Sequence, residues 1–392
     1  MTNIEHELRR LLDVKGQEVA DQVSATPRLL RRVRRARLVI PTAVIAMASA
    51  SVLAFTSFPF TRNLDRIPMP AEMDGDAQPL RKSYFVGDTP FWIAGGTEGL
   101  WVAGFRISFI NFEMNMSTSS PKLDALPSGA TYGMGRFWVA VDKKDAGDRL
   151  LSARLEEGDP TGARRVEVLD EGPIEDRGHD KHFMAVGHGY VWMTTGDAHV
   201  QRYHPVTKQL ETFDLRSELR GYQGEQNALE VAAGERYMWF ANAGGRVAAF
   251  DPTSMEPAGP EFDLSKPGED LNWQIGGLQF SDGRLVILRS SARGVQQIWQ
   301  MNEVNEQMEE PIRLGRFAPL GGPNVENASA YLLRSHTERK AIIYRIDLGT
   351  GTRFQRKATL GQTYMGFTVI NGSGWVSDFE KREVRRVPLP GG

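Results

Sequence analysis

Gly189-Tyr190-Val191-Trp192-Met193-Thr194-Thr195, followed by His199-Val200-Gln201-Arg202-Tyr203-His204-Pro205-Val206-Thr207, is the stretch whose reading decides the fold. Each half is a short run rich in β-branched and aromatic residues, bounded by glycine or by a polar turn, which is the pattern of a strand. Residues 183–187 read as a strand before them and 209–215 as one after, so four strands, 183–187, 190–195, 199–203 and 209–215, follow one another through tight turns. The slot of Trp192 recurs along the chain, after a turn of small residues, at Trp101, Trp138, Trp239, Val286, Tyr331 and Trp375. Consecutive anchors are 37, 54, 47, 47, 45 and 44 residues apart, about the length of a four-stranded propeller blade. Seven anchors predict an all-β, seven-bladed β-propeller over 81–392.

A second element keeps register with the first. Arg202-Tyr203-His204-Pro205-Val206-Thr207, Ala249-Phe250-Asp251-Pro252-Thr253-Ser254 and Arg345-Ile346-Asp347-Leu348-Gly349-Thr350 each stand where the third strand should turn into the fourth. Where proline is present it presets the backbone, and the Asp or Thr side chain is expected to satisfy a free amide. The sixth copy is the poorest, because its inner strand near 322–327 is short of apolar residues. After Trp375 only 383–389 is left to form a strand, so 83–86, ahead of the first blade, is expected to supply the missing outer strand and close the ring. The recurrent tryptophans are expected in the core between sheets.

With Gly189 to Thr195 leading to Val200-Gln201-Arg202-Tyr203-His204-Pro205, and Tyr237-Met238-Trp239-Phe240-Ala241-Asn242 to Val247-Ala248-Ala249-Phe250-Asp251-Pro252, the repeats resemble those of the broad YVTN, streptogramin-lyase-like and quinoprotein-like propeller superfamily. The resemblance runs over roughly 82–389 and implies architecture, not activity. Lyase-like members use histidines and a carboxylate of late blades with a metal, yet after His204 this chain has only His336.

N-terminal to the repeats, no charged residue occurs between Leu38 and Thr61. At about 1.5 Å per residue the run 38–58 can cross a hydrocarbon layer of roughly 30 Å as one transmembrane helix. Arg28, Arg31, Arg32, Arg34, Arg35 and Arg37 precede it, whereas Arg62 and Arg66 are the nearby cations after it. That bias predicts a cytoplasmic N-terminus and an extracytoplasmic body at the cell membrane. A cleaved signal peptide, with small residues at Ala48, Ala50 and Ala54, also fits the run and exports the body equally. Residues 1–37 read as a basic arm whose Ile4, Leu8, Leu11, Leu12, Val19 and Val23 give 3–23 an amphipathic helix. Residues 59–80, with Pro68, Pro70 and Pro79, read as a linker. A short arginine-rich arm plus one span also resembles actinobacterial single-pass proteins associated with sigma-factor regulation.

Composition narrows the chemistry. The chain has no cysteine, which excludes disulfides, thiolate metal sites and a cysteine nucleophile. Its net charge is −2, and the basic excess sits in 1–37, with nine Lys or Arg against five Asp or Glu, so no nucleic-acid partner is expected. Five of the seven histidines lie between 179 and 204. His179, Asp180 and His182 could form a metal site beside the turn that carries Asp197, or simply a polar surface loop, and the metal stays unassigned. His199 and His204, five apart on one strand, are expected on opposite sides.

In propellers the inter-blade connections and the second-to-third turns share one ring face. On it the expected ligand-face residues are Tyr222, Gln226, Asn227, Asn242, Asp270, Asn272, Trp273, Arg293, Asn324, Asn327, Tyr364 and Asp378. Mixed charges, amides and aromatics suit a protein, peptide or saccharide ligand. The first reading is therefore an extracytoplasmic module for binding or sensing, with no catalytic set and no cofactor. A metal-dependent lyase or lactonase type of propeller enzyme, and a membrane-bound regulator of a sigma factor acting through the arm, are the alternatives.

Overall fold

Strands too short to be stable alone must share their faces with neighbours, and here they do so as seven small antiparallel sheets. The computed structural model describes residues 83–390 apart from 97, 144–146, 157–163, 176–182, 196–197, 220–228, 265–272, 292–293, 317–321, 338–339 and 360–363. The expected arm 1–37, membrane helix 38–58 and linker 59–80 lie outside the described residues. Among the described residues there is no helix long and apolar enough to cross a membrane.

The chain enters through β1 (Ser83–Phe85) and then lays down the blades in order. Blade 1 is β2 (Pro90–Gly95), β3 (Gly99–Gly104), β4 (Ile107–Asn111) and β5 (Met116–Ser119). Blade 2 is β6 (Leu126–Gly133), β7 (Arg136–Lys143), β8 (Gly147–Leu155) and β9 (Val166–Pro173). Blade 3 is β10 (Met184–Gly187), β11 (Tyr190–Thr195), β12 (His199–His204) and β13 (Gln209–Asp214), within a residue of the strands expected from sequence. Blade 4 is β14 (Leu229–Ala233), β15 (Met238–Asn242), β16 (Arg246–Phe250) and β17 (Pro257–Asp263). Blade 5 is β18 (Trp273–Ser281), β19 (Arg284–Ser291) and β20 (Val295–Asn302), with its outer strand broken into β21 (Gln307–Met308) and β22 (Ile312–Arg316). Blade 6 is β23 (Asn324–Glu326), β24 (Ser329–Thr337), β25 (Lys340–Asp347) and β26 (Arg353–Thr359). Blade 7 is β27 (Tyr364–Ile370), β28 (Ser373–Asp378) and β29 (Glu383–Val387), completed by β1.

The inner strands β2, β6, β10, β14, β18, β23 and β27 each pack on the next, and β27 packs on β2, so the ring is closed. There is accordingly no single core. Seven separate apolar slabs fill the seven interfaces between adjacent blades. Every anchor faces the following blade: Trp101 stacks on Phe137 with ring centroids 5.6 Å apart, and Trp138, Trp192, Trp239 and Trp375 are fully buried. The inner-strand residue opposite each anchor adjusts to its size. Small residues lie under tryptophan (Ala94, Thr131, Ala185, Ala232, Thr368), whereas Gln279 lies opposite Val286 and Asn324 opposite Tyr331. Both amides also reach on: Gln279 Oε1 accepts from Val325 N at 2.9 Å, and Asn324 Nδ2 donates to Phe367 O at 3.3 Å. Blades 5, 6 and 7 are thus bound through amides where indoles are missing, and the inner strand of blade 6 is the three-residue β23.

Ring closure follows the expected pairing. Ser83, Tyr84 and Phe85 lie opposite Arg385, Val384 and Glu383, and Tyr84 packs near the last anchor, 6.0 Å from Trp375 between ring centroids. Its hydroxyl donates to Asn115 of blade 1.

First-to-second strand hairpins of blades 2, 3, 5, 6 and 7 use two-residue turns in which both residues have positive φ, the geometry that matches strand twist. Glycine takes the second place in four of them. Blade 6 puts Ala328 there at φ 54°, a conformation in which the Cβ crowds the backbone. Ala328→Gly is expected to raise unfolding free energy by about 0.5–1 kcal/mol, as read from urea denaturation. No gain would mean that the turn is relaxed as it stands.

Candidate functional site

Turns alternate ends along an antiparallel sheet, so one ring face carries the second-to-third turns and the inter-blade connections, and the other carries the remaining turns. On the first face the described side chains anticipated from sequence are Asn242, Asn324 and Asp378. All three are buried. Asn242, the last residue of β15, accepts from Arg246 N at 2.9 Å and donates to Leu219 O at 3.0 Å. Asp378, the last of β28, accepts from Lys381 N at 3.1 Å, with Arg385 3.9 Å from its other oxygen. Ser291 caps the equivalent turn of blade 5, accepting from Val295 N at 2.9 Å. Asn242 and Asp378 therefore hold turns of this face, while Asn324 holds the next inner strand. Trp273 and Tyr364 open β18 and β27 at the same face.

His179, Asp180, His182, Asp197, Tyr222, Gln226, Asn227, Asp270, Asn272 and Arg293 lie outside the described residues. Asn327 is corrected: it stands in the turn between β23 and β24, on the opposite face, because a first-to-second turn cannot share an end with the second-to-third one. His199 and His204 occupy the two ends of β12. His199 Nε2 lies 3.8 Å from Asp214, and the Arg216 hydrogen bond pulls the Asp214 carboxyl down to about 2. His204 Nδ1 accepts from Val206 N and Thr207 N at 3.2 Å, as Asp251 and Asp347 do in blades 4 and 6 with their own turn amides. Those amides hold both carboxyls below the ordinary range. Among the described residues no group of three His, Cys, Asp or Glu could hold a metal.

One charged group on the inner ring was missed from sequence. Glu230, second in β14, is 8% exposed, lies on the same side of its strand as Ala232, which faces blade 5, and makes no side-chain hydrogen bond among the described residues. Burial alone pushes its carboxyl well above the usual range, because leaving water disfavours the charged form. A carboxylate inside the otherwise apolar run Leu229-Glu230-Val231-Ala232-Ala233 was the signal available. Uncapped polar atoms also occur on other inner strands, at Ser128 Oγ, Asn324 Oδ1 and Thr368 Oγ1.

The opposite face and the blade flanks are fastened by charge. Glu303 of blade 5, 1% exposed, accepts from Glu235 N at 2.8 Å, Arg236 N at 3.0 Å and Trp239 Nε1 at 2.9 Å of blade 4. Arg202 of blade 3 donates to Pro252 O at 2.6 Å and Thr253 O at 2.8 Å of blade 4, pairs with Glu211, and lies 4.5 Å from the Tyr190 ring centroid. Between blades 2 and 3, Glu171, the extra residue of a bulge in β9, accepts from Ser152 and Tyr203, each at 2.6 Å, and from Lys208. Burial would raise the Glu171 carboxyl, but hydrogen bonds from Lys208, Ser152 and Tyr203 outweigh it and hold it low.

Ring order, seven interfaces and the closing strand define a seven-bladed β-propeller, a fold generally used for binding. No family model and no curated protein matches the sequence. Among solved structures, the WD40 domain of Neurospora crassa Pan2 is similar with a TM-score of 0.50, covering 80% of this chain and 97% of that one at 10% identity. That likeness concerns the fold alone.

Proposed function

We propose that the chain is a single-pass membrane protein, anchored by 38–58 with 1–37 in the cytoplasm, that displays its propeller outside the cytoplasm as a binding or sensing module. Its repeats are of the YVTN-like kind, and its ligand is a protein, peptide or saccharide taken on the face of the second-to-third turns. The observation that carries the reading is the pairing of an uncharged run behind six arginines with a propeller whose strand pairings, among the described residues, fall within 83–387. Every blade among the described residues is built from strands within 83–387. Buried Asn242 and Asp378 support a fixed frame, leaving contact to Tyr222, Gln226, Asn227, Asp270, Trp273, Arg293, Tyr364 and the His179 to His182 loop.

The test is in two parts. The full-length chain should stay with membranes through alkaline carbonate washing, and externally added protease should reach the propeller in spheroplasts but not the arm. Release by carbonate, or a protected propeller, would overturn the anchoring. Immobilised propeller should retain a specific ligand from an extracellular extract, and combined alanine replacement of Tyr222, Gln226 and Asn227 should weaken retention about tenfold or more. Retention that is indifferent to that replacement would count against this face.

A further inference from the structure

Charge is distributed unevenly around the ring. Residues 83–328 hold 23 Lys or Arg against 35 Asp or Glu, whereas 329–392 hold 11 against 5. The partners of the arginines change at the same place. In blades 2 to 5, Arg149, Arg202, Arg246 and Arg284 lie against Asp170, Glu211, Glu261 and Glu309. On β26, the outer strand of blade 6, and on β29, which lies inside β1 in blade 7, three guanidinium groups are oriented by neutral oxygens instead, while Arg385 of β29 lies 3.9 Å from Asp378. Arg353 donates to Leu314 O at 3.0 Å, Arg356 to Leu389 O at 3.3 Å, and Arg386 to Ser373 Oγ at 2.8 Å. A neutral acceptor fixes the direction of an arginine without cancelling its charge. Lys357 is exposed on the same strand as Arg353 and Arg356, and two exposed rings, Phe85 (61%) and Phe354 (42%), stand on the outer strands of the same two blades.

This rim is also where the chain comes in. Ser83 pairs directly with Arg385, and Arg81-Lys82 precede it in sequence. From the end of the uncharged run the linker can stretch at most about 80 Å, and it joins the propeller at the edge around Ser83. Fixed cations with exposed aromatic rings suit an interface of anionic headgroups over acyl chains.

We infer that the outer rim of blades 6 and 7 is a docking surface for anionic phospholipid headgroups, which lays the propeller edge-on against the bilayer from which it hangs. The inference rests on the anchored reading above, but its test does not. A fragment of residues 81–392 retains every strand pairing of the described residues and lacks 38–58. At low salt it should sediment with vesicles containing roughly a third phosphatidylglycerol, at least tenfold more strongly than with pure phosphatidylcholine, and high salt should release it. The triple change Arg353→Gln, Arg356→Gln, Lys357→Gln should weaken partitioning about tenfold or more. Arg353→Lys with Arg356→Lys should keep it, and Arg216→Gln with Arg236→Gln, on the acidic side, should leave it unchanged. Thermal melting of each variant excludes unfolding as the cause. Absence of low-salt association, equal affinity for neutral vesicles, or undiminished binding by the folded triple variant would overturn the inference. So would preference for soluble polyglutamate over vesicles. Any of these would leave anchoring by 38–58 standing, because that is decided by carbonate extraction of the full-length chain.

Discussion

Glu303→Ala is expected to lower the unfolding free energy by about 3–5 kcal/mol. The carboxylate is the acceptor for three donors of the neighbouring blade, two turn amides and the Trp239 indole. Each buried donor left without an acceptor costs roughly 1–3 kcal/mol, less whatever water entering the vacated space restores. Glu303→Gln should cost about half as much, since either amide orientation sets an NH2 group against a donor. The same clasp can be tested from the other side. A Cβ on Gly234 would stand 2.0 Å from Glu303 Oε1 and 2.9 Å from the indole nitrogen, so Gly234→Ala must displace the carboxylate and is expected to be comparably damaging. Urea denaturation followed by tryptophan emission reads all three. A loss below about 1 kcal/mol for the alanine variant of Glu303 would show that the donors find other acceptors.

The second large effect has the opposite sign. Glu230 binds its proton more tightly in the folded chain than in the unfolded one, because burial without a partner penalises the charged form. Above the unfolded value near 4.5 the unfolded chain gives up this proton first, and native stability therefore falls as pH rises through the interval up to the raised folded value. Replacing the carboxyl with an apolar side chain of similar length removes both the buried polar group and this pH dependence. Glu230→Met is expected to gain about 1–3 kcal/mol at neutral pH, more at mildly alkaline pH and less near pH 4. Chemical denaturation of both proteins across that range measures it. A gain that did not vary with pH, or a variant weaker than the native chain at pH 8, would mean that the carboxyl has a stabilising partner.

The architecture was legible because its determinants are local. Strand period, turn chemistry and the 37- to 54-residue recurrence of the anchors are written into short windows, and even the closing strand could be inferred from the shortage of residues after Trp375. What was not legible depends on contacts between blades. Whether Asn242 caps a turn or meets a ligand is decided by register, since an amide next to a loop suits both. Asn324 was expected on the ligand face, yet its place opposite Tyr331 lets its amide donate to the neighbouring inner strand. Glu171 is itself the extra residue of a bulge in the outer strand, between Asp170 and Gly172, and nothing in the composition of 166–173 distinguishes it from the exposed acids nearby. Glu303 serves a turn 64 or more residues earlier in the chain, a separation that no periodicity can reveal.

Three cross-strand pairs, Ser83 to Phe85 against Arg385 to Glu383, seal the circle at the place where the N-terminal segment joins it. Traction along that segment would load this short seam together with its hydrogen bonds to blade 1, through Tyr84, Phe85 and Val86. The seam is then a mechanical fuse: tension would expose the flank of β29 and the packing around Trp375, and relaxation would let the same strand re-dock.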